Sequence, residues 1–180
     1  LRKEEQKSML LKQAEQVPGI IYQAKMQQDG KVSYPFVSGK MLNLFNKASN
    51  EKIDEKLNLF DNVFEEDQII FEKTITKARL ELKNWSLDYR VINPQKEIRW
   101  MRGNSKPVIM KDQSVVWHGY ITDITEHKQA EEALLDSEKQ ISTMFEHAPD
   151  AILVIDSDGY INKWNPKAQE IFGWSEQEVI

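Results

Sequence analysis

The period of apolar positions changes several times along the chain, and each change predicts an element. Ile20 to Lys25 and Tyr34 to Ser38 are short runs of β-formers on either side of Asp29-Gly30, a tight-turn dipeptide, so they predict a hairpin. Met41, Leu42, Leu44 and Phe45 predict a short helix. Glu65, Glu66 and Asp67 then crowd the start of a helical run, where negative charge suits the positive end of a helix dipole. Phe71, Ile75, Ala78 and Leu82 follow at helical spacing and predict one buried stripe. After that the period becomes two: Trp85, Leu87, Tyr89 and Val91 alternate with Ser86, Asp88 and Arg90. Ile98 to Trp100 and Val115 to Trp117 predict two more strands, set apart by turn signals at Asn93-Pro94 and Lys111-Asp112. Two strands, helices and three antiparallel strands make an α+β order.

Beyond Tyr120 the composition turns from β-branched and aromatic residues to Ala, Glu, Leu, Lys and Gln, which are strong helix formers. Asp123 and Thr125 are good N-cap types, and Glu126 stands three positions after Asp123, the spacing of a capping box. Ala130, Leu134, Ser137, Ile141, Met144 and Ala148 then repeat at 4-3-4-3-4 spacing, the seam of a short two-stranded coiled coil. Leu10, Ala14 and Val17 begin a similar pattern near the start of the chain. The order also repeats. Val17-Pro18-Gly19-Ile20-Ile21-Tyr22 resembles Ala148-Pro149-Asp150-Ala151-Ile152-Leu153, Asp29-Gly30 resembles Asp158-Gly159, and Leu44-Phe45-Asn46 resembles Ile171-Phe172-Gly173. Two copies of one unit are expected, with the second shorter. It should hold strands over Ala151 to Ile155 and Tyr160 to Trp164 and a helix from Pro166 to Phe172.

The stretch Asp123-Ile124-Thr125-Glu126-His127-Lys128-Gln129-Ala130-Glu131-Glu132-Ala133-Leu134 closely resembles the C-terminal signature of PAS sensor domains in bacterial signalling proteins. Trp85, Tyr89-Arg90, Arg99-Trp100 and Trp117-x-Gly119 resemble, in order and spacing, the last three strands of one PAS subtype. The resemblance implies a PAS fold: a five-stranded antiparallel sheet with helices on one face, flanked by signalling helices. It divides the chain into an N-terminal helix (1–16), a first PAS domain (17–125), a helical connector (126–147) and the start of a second PAS domain (148–180). It further implies a cytoplasmic sensory module that pairs with a second copy through its helical linkers. The signal would pass to an output domain in the same chain, a histidine kinase most often and a diguanylate cyclase next. A spacer that binds nothing and only transmits strain is the alternative. The first residue, Leu1, and the mid-pattern end at Ile180 suit a piece of a longer protein.

Composition narrows the chemistry. A chain of 180 residues with 40% hydrophobic and 29% charged residues can build a core and keep a wet surface. No run approaches the roughly 20 apolar residues of a membrane span, so no membrane contact is expected of this segment. The net charge of -5 gives no basic stripe for nucleic acid. The absence of cysteine excludes disulfides, thiolate metal sites and the flavin-adduct and coumaroyl chemistries that PAS-like light sensors attach to a thiol. The haem-binding kind places its axial histidine in the helix before the last three strands, and Glu65 to Lys83 has none, so no cofactor is expected. His118, His127 and His147 lack the spacing of a metal site, and no metal is expected. Neither a nucleophile elbow nor a Gly-rich phosphate loop is present, so no catalytic residue is assigned.

Two groups of residues stand out as candidates. Tyr22, Phe36, Trp85, Tyr89 and Trp100 could line a pocket, with Arg90 or Arg102 holding a carboxylate through its planar fork. The competing reading makes the aromatics ordinary core and pairs the arginines with Asp88 and nearby acids. Asp123, Ile124, Thr125 and Leu134 are the residues expected to transmit a signal.

Overall fold

A computed structural model of the chain describes residues 19–26, 32–38, 60 and 62–180. The predicted N-terminal helix, the Asp29-Gly30 turn and the Met41 to Phe45 helix lie outside the described residues. The chain divides after Glu126 into two compact units.

In the first unit β1 (Ile20–Met26), β2 (Val32–Ser38), α1 (Glu65–Glu81), β3 (Trp85–Ile92), β4 (Ile98–Ile109) and β5 (Val115–Asp123) form one antiparallel sheet with a helix. The strand order is β2-β1-β5-β4-β3, so the first and last strands of the unit are neighbours at its centre. Strand β4 contains the expected Ile98 to Trp100 and continues to Ile109, and its inward positions after Met101 are Gly103 and Ser105. Their small size hides the alternation on which a sequence reading depends. Pro107 sits beyond Ser105, the last β4 residue paired to β3, where a missing N–H costs the ladder nothing on that side. Helix α1 buries Phe71 and Ala78 and packs Ile75 on the core. Leu82 does not complete the stripe: it is the left-handed C-cap, φ 50°, and its side chain is exposed.

One face of the sheet carries the core: Ile20, Tyr22, Trp85, Tyr89, Val91, Met101, Trp117 and Ile121 are all at most 5% exposed. Phe71 of α1 stands edge-on to Trp85 and Tyr89, with centroids 5.3 and 4.9 Å apart. These rings fit because the strands beneath them carry glycine. Tyr22 pairs across from Gly119, and a Cβ at Gly119 would lie 2.0 Å from its ring. A Cβ at Gly103 would meet the Trp85 ring at 2.5 Å.

The second unit contains β6 (Leu153–Ile155), β7 (Ile161–Trp164), α3 (Pro166–Phe172) and α4 (Glu176–Val179), together with most of α2 (Thr125–Glu146). Strands β6 and β7 pair antiparallel, and β6 and β7 lie within the predicted strands. Asn165, fully buried, organises it. Its Oδ1 accepts from Ile152 N at 2.9 Å and, as the N-cap of α3, from Ala168 N at 2.9 Å. Its Nδ2 donates to Phe145 O at 3.1 Å and to Asp150 O at 3.0 Å. Pro166 follows at the first helical position, where a missing N–H is tolerated. Leu153, Val154, Ile155, Phe172 and Trp174 are each 38% to 58% exposed.

The glycine contacts give a first test. Gly119→Ala should lower stability by about 1–3 kcal/mol, the usual cost of forcing extra atoms into a packed core. Because Tyr22 is the group struck, Tyr22→Leu combined with Gly119→Ala should cost less than the sum of the two single changes. Urea titration of the four proteins measures this, and simple additivity would count against direct contact.

Candidate functional site

Three places in the first unit gather chemistry, and the sheet separates the first from the other two. The inner face carries a small cavity lined by Ile75 and Arg79 of α1, by Tyr22, Ala24, Met26, Val32, Ser105 and Trp117 of the sheet, and by Phe60. The room left for the centre of a water-sized sphere is ≈ 10 Å³, about what one water needs. Burial pushes the Tyr22 phenol up to about 12, against the pull of the Ser105 hydroxyl and the Arg79 charge, so it is protonated at any physiological pH. Two buried donors, Trp117 Nε1 and Tyr89 Oη, have no hydrogen-bond partner among the described residues. Burial raises the Tyr89 phenol as well. Trp85, by contrast, donates from Nε1 to Thr74 Oγ1 at 3.1 Å.

Of the seven residues expected to line a pocket, the inner face takes Tyr22, Trp85 and Tyr89. Phe36, Arg90, Trp100 and Arg102 are on the other side, and the register is the reason. Phe36 pairs with Gln23, next to inward Tyr22; Arg90 pairs with Trp100, next to the inward pair Tyr89 and Met101; Arg102 pairs with Asp88. Alternate residues of a strand face opposite ways, so a group spanning both parities cannot close around one ligand. The arginines are also occupied. Arg102 forks onto Asp88 at 2.6 and 2.7 Å. Sequence reasoning missed Arg79, Ser105 and Trp117 as partners of Tyr22. Arg79 stands four residues after Ile75 on the inward stripe of α1, and Trp117 shares the parity of Val115, so both directions were readable from spacing.

Arg90 builds the second place. Its Nε and Nη2 donate to the two Asp67 carboxylate oxygens at 3.0 and 2.6 Å, and Nη2 also reaches Glu66 at 2.9 Å. Its backbone N–H adds a 2.7 Å bond to Asp67, and its carbonyl accepts from Phe64 N at 2.8 Å. The guanidinium lies 4.5 Å from the Phe64 ring centroid and 5.6 Å from that of Trp100. Thus the acids that open α1 serve two ends: they suit the helix dipole, and they clamp the helix start to β3. Hydrogen bonding from Arg90, partly opposed by burial, holds the Asp67 carboxyl below the usual range, and the two acids hold the Arg90 charge in place.

The third place is the strand-to-helix junction. Ile124 N donates to Trp100 O at 2.8 Å, and Trp100 N donates to Thr125 Oγ1 at 2.9 Å, so one β4 residue is gripped on both backbone groups. Asp123 Oδ1 accepts from Thr125 N at 2.8 Å. The expected capping box is replaced by this arrangement: Asp123 caps the residue two positions on, and the Thr125 hydroxyl serves the sheet. Ile124 and Thr125 are buried. Leu134, farther along α2, is 61% exposed, as are Ile141 at 61% and Met144 at 70%; Ala148 lies past the helix end. Among the described residues no three His, Cys, Asp or Glu side chains come together as a metal site. No helix among them is long and apolar enough to cross a membrane.

Two family models, each described as PAS fold, match the chain at residues 34–121 and 139–180. Sensor protein FixL of Bradyrhizobium diazoefficiens is 30% identical over 117 residues, which is 64% of this chain and 23% of FixL. The probable diguanylate cyclase DgcE of Escherichia coli is 28% identical over 122 residues, 67% of this chain and 11% of that protein. The chain therefore spans less than a quarter of the length of either relative. A sensory box histidine kinase/response regulator structure from Burkholderia thailandensis superposes with a TM-score of 0.51 at 11% identity, covering 77% of this chain and 98% of that one. At that identity the likeness is one of fold.

The Arg90 clamp has a definite pH signature. A carboxyl held low in the folded state contributes stability that is complete above its unfolded value, about 3.9, and is lost as pH falls through the folded value. Asp67→Asn should therefore lower stability at pH 7 and flatten the decline of stability below about pH 4. Denaturation curves of both proteins at a series of acidic pH values check the sign; parallel curves would remove Asp67 from the acid response.

Proposed function

Because the chain belongs to the PAS fold family, we propose that it is the sensory and regulatory part of a bacterial signalling protein, cytoplasmic in location, working as a pair of chains. Its first domain responds to a small molecule or to an upstream conformational signal and passes the response into α2. The output in the parent chain is a histidine kinase on this reading, with a diguanylate cyclase as the second choice. The name of FixL supports the first and that of DgcE the second. The observation that carries the proposal is the double grip of Trp100 on Ile124 and Thr125. Through it a change in the position of β4 is felt at the first residue of a helix 22 residues long. A spacer that binds nothing needs the same grip, so ligand binding is what separates that alternative from a sensor.

Thr125→Val keeps the shape of the side chain but removes the acceptor, leaving Trp100 N–H unpaired at a cost of about 1–3 kcal/mol. In the intact parent protein it should uncouple output from stimulus, read as autophosphorylation for a kinase or cyclic dinucleotide synthesis for a cyclase. In this chain it should raise hydrogen exchange at Trp100 and over Thr125 to Lys128 while leaving Trp85 to Tyr89 protected. Normal regulation in the variant would sink the transmission reading.

Pairing has its own test. Leu134, Ile141 and Met144 put a line of exposed apolar side chains along α2, suited to a parallel two-stranded seam with a second copy. So short a seam should give a weak dimer, and Leu134→Asp should weaken it further. Sedimentation that finds a monomer at all concentrations, with or without the change, would count against it.

A further inference from the structure

We propose that Arg90 is a positioning residue that couples the start of α1 to the start of α2 through one row of residues at the sheet edge: Asp67, Arg90, Trp100 and Ile124. The inference rests on reading the Trp100 grip as the point where the first domain hands its state to α2, and it names what sets that grip. Arg90 and Trp100 stand directly opposite each other on β3 and β4. Arg90 turns both backbone groups away from β4: its N–H donates to Asp67 Oδ2 at 2.7 Å, and its carbonyl accepts from Phe64 N at 2.8 Å. Trp100 turns both of its own away from β3, to Thr125 Oγ1 at 2.9 Å and Ile124 N at 2.8 Å. In an antiparallel ladder such a pair exchanges no backbone bonds and brings its side chains closest together. Whatever passes along this row therefore passes between the Arg90 guanidinium and the Trp100 ring, whose centroid is 5.6 Å away, within reach of cation–ring attraction.

The α1 end of the row depends on the same arginine. Phe64, the N-cap of α1, supplies no side-chain cap, and Gln68 Nε2 ties the first turn only to Val63 O, in its own segment, at 3.1 Å. Among the described residues three hydrogen bonds reach the Asp67 carboxylate, and Arg90 supplies all of them. Nη2 divides its hydrogens between sheltered Asp67 and exposed Glu66. A tilt of the first turn thus changes the share each acid takes, and with it the lie of the guanidinium against Trp100. Arg102 provides the contrast: it forks onto Asp88 on the next pair of the same two strands and reaches no helix through that bond.

The test is hydrogen exchange in the whole 180-residue chain, read at the junction amides of Trp100, Ile124 and Thr125 and compared with the amides that pair β1 to β5. Arg90→Gln should speed exchange at the junction by about threefold or more beyond any change between β1 and β5, the scale of one cation–ring contact. Asp67→Asn, a milder change made on the helix side, should act in the same direction and serves if Arg90→Gln does not fold. Arg102→Gln removes an equal charge off the row and should leave the junction amides unmoved relative to β1 and β5. Trp100→Leu keeps the backbone grip but removes the ring, and in that background Arg90→Gln should have no further effect at Ile124 and Thr125. A purely structural role for Arg90 predicts the opposite: additive effects with Trp100→Leu, or acceleration shared equally by the β1–β5 amides, and either result would overturn the coupling. So would an equal response to Arg102→Gln. If Thr125→Val speeds exchange at Trp100 while Arg90→Gln and Asp67→Asn do not, the row is overturned and transmission through the grip stands. If Thr125→Val is silent as well, both fall.

Discussion

The packing of aromatic rings onto two glycines fixes how the first unit can be built. Tyr22 lies against Gly119, and Trp85 with Tyr89 lies against Gly103, at separations that no side chain at either glycine would permit. Strands β4 and β5 therefore give up side-chain packing at their inward centres, and the rings of β1 and β3 fill the space from across the ladder. A glycine in a strand interior is ordinarily weak. Here the weakness is offset by ring surface that covers it, and the same contact sets the register, since a slip of one residue would drive a Cβ into a ring. The helix follows from this: Phe71 can reach Trp85 and Tyr89 edge-on only if the rings lie low against the sheet.

What the inner face gains in packing it loses in polar satisfaction. Rings laid flat carry their polar tips to places the backbone does not serve, and Tyr89 Oη and Trp117 Nε1 are left without partners among the described residues, while Trp85 Nε1 meets Thr74. An unpartnered buried donor costs about 1–3 kcal/mol, so two in one core are a real burden on a unit of this size. A scaffold selected for stability alone would place Phe at 89. Retaining Tyr there costs stability, and no hydrogen bond among the described residues offsets it.

The sequence made the period legible and left the sidedness of the site obscure. The strands of both units, the acid-led helix and the repeat were readable because each rests on local alternation or on a turn dipeptide. The assembly of a pocket from Tyr22, Phe36, Arg90 and Arg102 failed because it grouped residues by chemical type, while the strand sorts them by parity. Arg90 shows the consequence. Its neighbours in sequence are aromatic and apolar, which suggested a pocket, yet its side chain leaves on the other face and meets Asp67 and Glu66, some two dozen residues away. Such pairing is tertiary and has no local signature. Asn165 was missed for the opposite reason: Asn-Pro before a helical run is a readable cap signal, but nothing local says that the same amide also holds the carbonyls of Phe145 and Asp150.

The clamp and the junction are joined by one residue. Trp100 offers its ring to the Arg90 guanidinium on the outer face and both of its backbone groups to Ile124 and Thr125. Arg90 in turn holds the start of α1, the helix whose Ile75 and Arg79 wall the cavity. A shift of α1 toward or away from the sheet therefore bears on Asp67, then on Arg90 and Trp100, and so on the first residues of α2, without passing through the hydrophobic core. That core is tightly packed by its ring-on-glycine contacts and resists small displacements, as close-packed interiors do. The outer face, held by charged and backbone hydrogen bonds that can lengthen or exchange, is the more compliant of the two paths. A displacement of α1 thus reaches α2 around the edge of the sheet, by way of β3, rather than straight through it.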